Sequence, residues 1–148
     1  MTFKLRDYTP ADFEALFEID QQCFEPAIAY SRPDLRSYLN LPGGDCVIAE
    51  AAGRIAGFLA TAHENRVGSV VTIDVLAAYR RMGVAALMLA ESERRLAAAG
   101  VRTIELETAT DNVSAIAFWQ KHGYLTRQIR KKYYPDGRDA FSMTKGIA

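Results

Sequence analysis

The stretch from Ser69 to Gly100 limits the possible fold more than any other part of this 148-residue chain. Ser69–Leu76 is rich in Val, Ile and Thr and reads as a buried central strand. Arg80, Arg81 and Gly83 follow, and a long helical pattern then runs to Ala99, where Gly100 stops it. A glycine-bearing turn between a buried strand and a long helix presents unpaired N–H groups and the positive end of a helix dipole, which together attract phosphate. Gly83 allows close backbone approach, and Arg80 and Arg81 add two charges suited to a pyrophosphate. An ordinary strand-to-helix turn with solvated arginines fits the same residues. The patterns G-x-x-x-x-G-K-[ST] and G-x-G-x-x-G are both absent, which argues against a P-loop NTPase and a Rossmann dinucleotide site.

The remaining elements build a mixed sheet around that unit. Phe3–Asp7 alternates like a strand, and Thr9 caps a helix with Pro10 at its first position. Phe13, Leu16, Phe17, Ile19 and Phe24 fall mostly at helical spacing, and a shorter helix follows Ser31. Cys46–Ala51 and Ile55–Ala62 form a hairpin about Ala52-Gly53-Arg54. Thr103–Thr108 is a further strand, and Asp111 or Asn112 opens a helix to His122. Tyr124–Tyr134 and Ala140–Lys145 form a last hairpin. The order predicts one α/β (α+β) domain over residues 1–148.

Composition narrows the class. Hydrophobic residues make up 49% and charged residues 24%, as in ordinary globular proteins. No apolar run approaches the ~20 residues of a membrane span, and the first residues lack the apolar block of a secretory signal. Cys23 and Cys46 cannot form a disulfide framework, so a cytoplasmic setting is expected. His63, His122, Cys23 and Cys46 lack metal-ligand spacing and read as structural, with no metal expected. The formal net charge is zero, which argues against nucleic-acid binding, but residues 1–64 carry −5 and residues 65–148 carry +5.

A second segment supplies a pattern. Asn112, Ala115, Phe118, Trp119, Gly123 and Tyr124 fit N-x-x-A-x-x-(F/L)-Y-x-x-x-G-F/Y, apart from Trp119 in the tyrosine position, and Arg80–Ala85 fits R/Q-x-x-G-x-G/A. In order and spacing these resemble the two signature motifs of the GNAT N-acetyltransferases, over nearly the whole chain. Arg130, Tyr133, Tyr134, Asp136, Gly137, Asp139, Ala140 and Met143 further resemble the R-x-x-Y-Y-x-(x)-D-G-x-D-A-x-x-M tail of the RimI-like N-terminal α-amino acetyltransferases. The resemblance implies a mostly antiparallel sheet of about seven strands flanked by about four helices, with acetyl-coenzyme A between splayed central strands.

Carried over residue by residue, the backbone N–H groups of Met82, Gly83, Val84, Ala85 and Ala86 cradle the pyrophosphate. Ile73 and Val75 pair through main chain with the pantetheine, and Val75 N–H is the donor to the thioester oxygen. Asn112 and Ser114 contact the cofactor from the opposite junction, although Asn112 also reads as a plain helix N-cap. Glu107 matches the base position; Glu105 has the same strand parity and competes with it. Trp119 stands where the family's tyrosine is the acid for the leaving thiolate. Indole has an N–H but does not titrate, so the resemblance implies slower turnover with Trp119 shaping the acetyl pocket. A plain core tryptophan fits as well, with Tyr133 as the alternative acid. Tyr133 and Tyr134 match the pair that grips a peptide N-terminus, and strand alternation would point them to opposite faces. Tyr30 would form the facing wall.

An α-amine of pKa near 8 is about 10% neutral at pH 7, whereas a lysine is neutral at only ~0.04%. A modest base acting through water therefore suffices for an N-terminus. The expected acceptor is a protein or peptide N-terminus, with a lysine side chain or small amine as the alternative. A catalytically weak acyl-coenzyme A-binding module is a third reading, and the chain is expected to be a monomer or homodimer. The basic run Arg127–Lys132 would face the cofactor, and Asp12, Glu14, Glu18, Asp20 and Glu25 would form a solvated acidic face that steers a cationic amine.

Overall fold

The computed structural model describes residues 1–147. Seven strands form a single sheet in the order β1-β2-β3-β4-β5-β7-β6. They are β1 (Lys4–Asp7), β2 (Asp45–Ala51), β3 (Arg54–Glu64), β4 (Val67–Val75), β5 (Thr103–Ala109), β6 (Leu125–Arg130) and β7 (Ala140–Gly146). The helices are α1 (Phe13–Cys23), α2 (Arg32–Leu39), α3 (Val84–Ala98) and α4 (Val113–Lys121). Every strand pair is antiparallel except β4 with β5. The seven strands and four helices match the expected architecture.

Strand alternation sorts the core into two layers. Val47, Ala49 and Leu59 pack with Met88, Leu89, Leu106, Trp119 and Met143 under α3 and α4. Cys46, Ile48, Phe58 and Ala60 pack with Leu16 and Ile19 of α1. Even and odd positions of β2 and β3 thus face opposite layers, as the two-residue period requires. The β2–β3 hairpin turns through Ala52 and Gly53, both at positive φ (52° and 77°), the pattern of a tight twisted turn.

Several expectations change. Thr9 is the N-cap with Pro10 at the first position, as expected, but of a separate 3-10 turn (Pro10–Asp12) before α1; its N–H (2.9 Å) and hydroxyl (3.2 Å) donate to the Asp12 carboxylate. Asp12 in turn takes two hydrogen bonds from Arg6. The acidic face is mostly spoken for: Glu14 pairs with Arg32, Glu25 with Arg138, and Asp20 is fully buried. β6 is the outermost strand, three places from β4, so the basic run does not flank the glycine turn. There Lys131 pairs with Asp139 and Arg127 bonds Thr144 on an exposed edge strand, while Arg130 turns toward Glu107.

Candidate active site

The parallel pair is short. β4 and β5 keep register only from Val67–Ser69 opposite Thr103–Glu105, after which β4 continues for six residues and β5 for four without a ladder between them. The sheet splits here. Leu76 N–H donates to Ala56 O in the antiparallel register with β3, so the main-chain groups of Thr72 and Asp74 face β3. Those of Ile73 and Val75 face the gap, and Val71 beside them is the extra residue of a bulge opposite Ala60 and Thr61. Two of their oxygens are taken by side chains: Val71 O accepts from Tyr30 Oη (3.1 Å), and Val75 O from Arg80 Nε (3.1 Å) and Cys23 Sγ (3.4 Å).

On the α3 side, the gap leads to the glycine turn. Arg81 (φ 63°) and Gly83 (φ 80°) both adopt left-handed backbone, folding the turn back so that α3 begins at Val84 with its first N–H groups unpaired within the helix. A Cβ at Gly83 would touch nothing within 4 Å, so its positive φ, not space, favours glycine. Arg80 is drawn inward to Val75, and Arg81 and Met82 stay on the exposed rim. Asn112 caps α4 through Oδ1, which accepts from Ala115 N (3.2 Å) and Ser114 Oγ (3.4 Å).

On the α1 side, Glu107 is a hub. Its Oε1 accepts from Tyr133 Oη (3.4 Å), and its Oε2 accepts from Ser142 Oγ (3.3 Å) and lies 3.6 Å from Arg130 Nε. Glu105 shares its face, but lies where β5 still pairs with β4, opposite Ser69. Glu107 lies beyond that pairing. The tyrosine pair does not alternate. β6 ends at Arg130, and Lys132 takes a left-handed φ of 51° in the loop that follows. This breaks the extended geometry, so the Tyr133 and Tyr134 rings meet edge-on, 5.0 Å apart, instead of pointing to opposite faces. Tyr30 packs 5.1 Å from Tyr38 on the facing wall. Burial pushes the Tyr30 and Tyr133 hydroxyls up from their ordinary values, and Tyr134 up to about 12.

The sequence model of the acetyltransferase (GNAT) family matches residues 13–124. The chain belongs to that family. It is 27% identical over 142 residues to an uncharacterized N-acetyltransferase of Methanocaldococcus jannaschii, covering 95% of this chain and 90% of that one. It is 33% identical over 99 residues to the ribosomal protein bS18-alanine N-acetyltransferase of Escherichia coli, covering 65% and 67%. The crystal structure of the Escherichia coli S18-alanine enzyme aligns with a TM-score of 0.90 at 26% identity, over 99% of this chain and 95% of that one. An N-alpha-acetyltransferase of Saccharolobus solfataricus is 37% identical over 83 residues, about half of each chain.

Within this acetyltransferase, Trp119 is 4% exposed and lies edge-on to Phe118 (5.1 Å) and Tyr124 (5.2 Å). It is a core residue on the inner face of α4. Cys23, read from sequence as structural, donates its thiol to Val75 O (3.4 Å) and so ties α1 to β4 beside the gap. Gly57 on β3 was not singled out either: a Cβ there would stand 2.3 Å from Asp74 O, so only glycine lets β3 approach β4 at this level. A glycine inside a strand pattern is the sequence signal that marks such a site.

Proposed function

We propose that the chain transfers an acetyl group from acetyl-coenzyme A to the N-terminal α-amine of a protein or peptide, within a ternary complex. The observation that carries the reading is Glu107, held by Tyr133, Ser142 and Arg130 on β5 just past the point where β4 departs. The relatives named as a ribosomal protein bS18-alanine N-acetyltransferase and an N-alpha-acetyltransferase support the same acceptor.

The residues at the gap fit the cofactor in their donor chemistry. Backbone N–H groups of Met82–Ala86, with Arg81 on the rim, suit a pyrophosphate. The gap-facing main chain of Ile73 and Val75 suits an amide-bearing pantetheine arm, with Asn112 and Ser114 at the opposite junction. When bound, acetyl-coenzyme A supplies a thioester whose thiol, of pKa near 8.5, leaves tolerably without an obligatory acid. That relieves position 119 of proton delivery, and a tryptophan there is compatible with turnover.

The protein's own work lies with the amine and the oxygen. Glu107 accepts the proton of the entering ammonium, directly or through one water, and Arg130 and Tyr133 fix the carboxylate while it waits. Val75 N–H donates to the carbonyl oxygen as charge grows there. Tyr30, Tyr133 and Tyr134 form aromatic walls that hold an extended N-terminus. Two layers thus serve two substrates: the α3 side the cofactor, the α1 side the acceptor.

The test is release of free thiol from acetyl-coenzyme A with three acceptor sets: free N-terminal peptides, N-terminally blocked lysine peptides, and small amines. Release with free N-termini alone is expected. Equal release with blocked lysine peptides or small amines would reassign the acceptor, and tight cofactor binding without release on any amine would refute acetyl transfer.

A further inference from the structure

Two carboxyl groups are buried where the helix pattern and the proposed chemistry give them no task. Asp20 on α1 and Asp74 on β4 are 0% and 1% exposed. Each has one oxygen engaged: Tyr30 N–H donates to Asp20 Oδ2 (2.8 Å), and Thr72 Oγ1 to Asp74 Oδ1 (2.6 Å). The other oxygens, Asp20 Oδ1 and Asp74 Oδ2, are sealed from solvent and receive no donor from the rest of the protein. The two carboxyl groups lie against each other where α1 packs on β4, and Asp20 adds to burial in holding the Asp74 proton on. Two ionised carboxylates offer acceptors only, so this contact requires a proton between them. Like charges in contact and cut off from water force the same outcome.

The surroundings leave nothing else to neutralise a second charge. Cys23 of α1, Cys46 of β2 and Tyr30 face the pair, and burial pushes all three away from ionisation. Arg80 reaches Cys23, but it is exposed and its Nε is committed to Val75 O.

We propose that Asp20 and Asp74 share one proton and act together as positioning residues, locking the Tyr30 wall to the edge of β4 that faces the gap. Asp74 stands between Ile73 and Val75, and Asp20 holds the backbone of Tyr30, whose hydroxyl bonds Val71 O. The α1–α2 connection is therefore pinned to β4 at two levels, by the phenol and by the acid pair. The effect on turnover rests on the acetyl-transfer reading; the shared proton does not.

The test compares the intact protein with Asp74→Asn, Asp20→Asn and Asp74→Ala. Burial holds the Asp74 proton well above the usual carboxylate range, whereas the unfolded chain releases it near pH 4. Stability from this group is therefore fully present below about pH 4 and is lost as pH rises toward the folded-state value. An amide donates N–H where the shared proton stood, so either Asn variant keeps the contact and flattens the fall of Tm between about pH 4 and 8. The folded wild type at neutral pH shows an infrared band of a protonated carboxylic acid, and both Asn variants lack it. In thiol release, the Asn variants keep the acceptor KM within about threefold, while Asp74→Ala raises it about tenfold or more with the acetyl-coenzyme A KM little changed.

Parallel Tm curves for wild type and Asn variants, or no acid band, would overturn the shared proton. Asn variants that raise the acceptor KM as far as Asp74→Ala would overturn the positioning role. Should Asp74→Ala fail to fold, an acceptor KM raised about tenfold in both Asn variants would overturn that role equally, and a KM within about threefold would uphold it. If the wild type releases no thiol with any amine, it is acetyl transfer that fails, and the Tm and infrared readings still decide the proton.

Discussion

Replacing Glu107 with glutamine removes a charge and leaves the shape. The contacts at stake are long, at 3.3, 3.4 and 3.6 Å, and the side chain is 24% exposed. A partly exposed ion pair of this kind contributes about 0–1 kcal/mol. At about 2–4 °C per kcal/mol for a chain of this size, Tm falls by no more than a few degrees. The rate responds differently. A positioned general base contributes about 10²–10⁴-fold, and without it only the amine that is already neutral can react. That fraction is about 10% at pH 7 and about 90% at pH 9 for an α-amine of pKa near 8. Glu107→Gln is therefore expected to lower kcat/KM about 100-fold near pH 7, with the deficit shrinking about ninefold by pH 9. The assay is thiol release against a free N-terminal peptide from about pH 6 to 9, with Glu105→Gln as a control expected to behave as wild type. A Glu107→Gln profile parallel to wild type across that range would refute the assignment and move the base elsewhere.

Other substitutions probe the scaffold. Gly57→Ala places a Cβ 2.3 Å from Asp74 O and 3.2 Å from Val75 Cα; the strands must part, at about 1–3 kcal/mol, and calorimetry should show Tm lower by roughly 2–12 °C. Trp119→Ala empties a core site that is 4% exposed, so urea unfolding should register a loss of about 3–5 kcal/mol, against a smaller loss for Trp119→Phe. Arg6 holds the Asp12 carboxyl down at about 2. Its contribution is present above about pH 4 and is lost as pH falls toward the folded-state value, so Asp12→Asn should flatten the acid limb of a Tm–pH curve.

Much of the fold was legible because local signals agreed with one another. The Val/Ile run of β4, the turn and the apolar period of α3 are each set by residues within a few positions, and the observed elements differ only at their ends. What escaped the sequence depends on partners far along the chain. Asp20 reads as one more carboxylate on a solvated helix face, and only Asp74, 54 positions later, explains its burial. Glu105 and Glu107 cannot be told apart by parity; the three-residue register with β4 separates them. Tyr133 and Tyr134 look alternate until Lys132 turns left-handed ahead of them. The basic run looks like a cofactor patch until strand order places it on the far edge.

The short seam between β4 and β5 has a mechanical consequence. Among the described residues, three register positions and the bonds from Arg102 and Thr103 N–H to Arg66 O join the β1–β4 half of the sheet to the β5–β7–β6 half through backbone. Beyond this seam the halves are held together by the shared core under α3 and α4, so the gap is where the sheet opens at the lowest free energy. A ligand lying in the gap supplies hydrogen-bonded rungs that the chain itself omits, and a ligand at a hundredfold excess over its Kd adds about 2.7 kcal/mol. Amide exchange at Val70–Val75 and Leu106–Ala109 would then slow together on binding, while Val67–Ser69, already paired, would change little. On the proposed reading, the gap-facing main chain that would receive the cofactor would also set how firmly the two halves cohere.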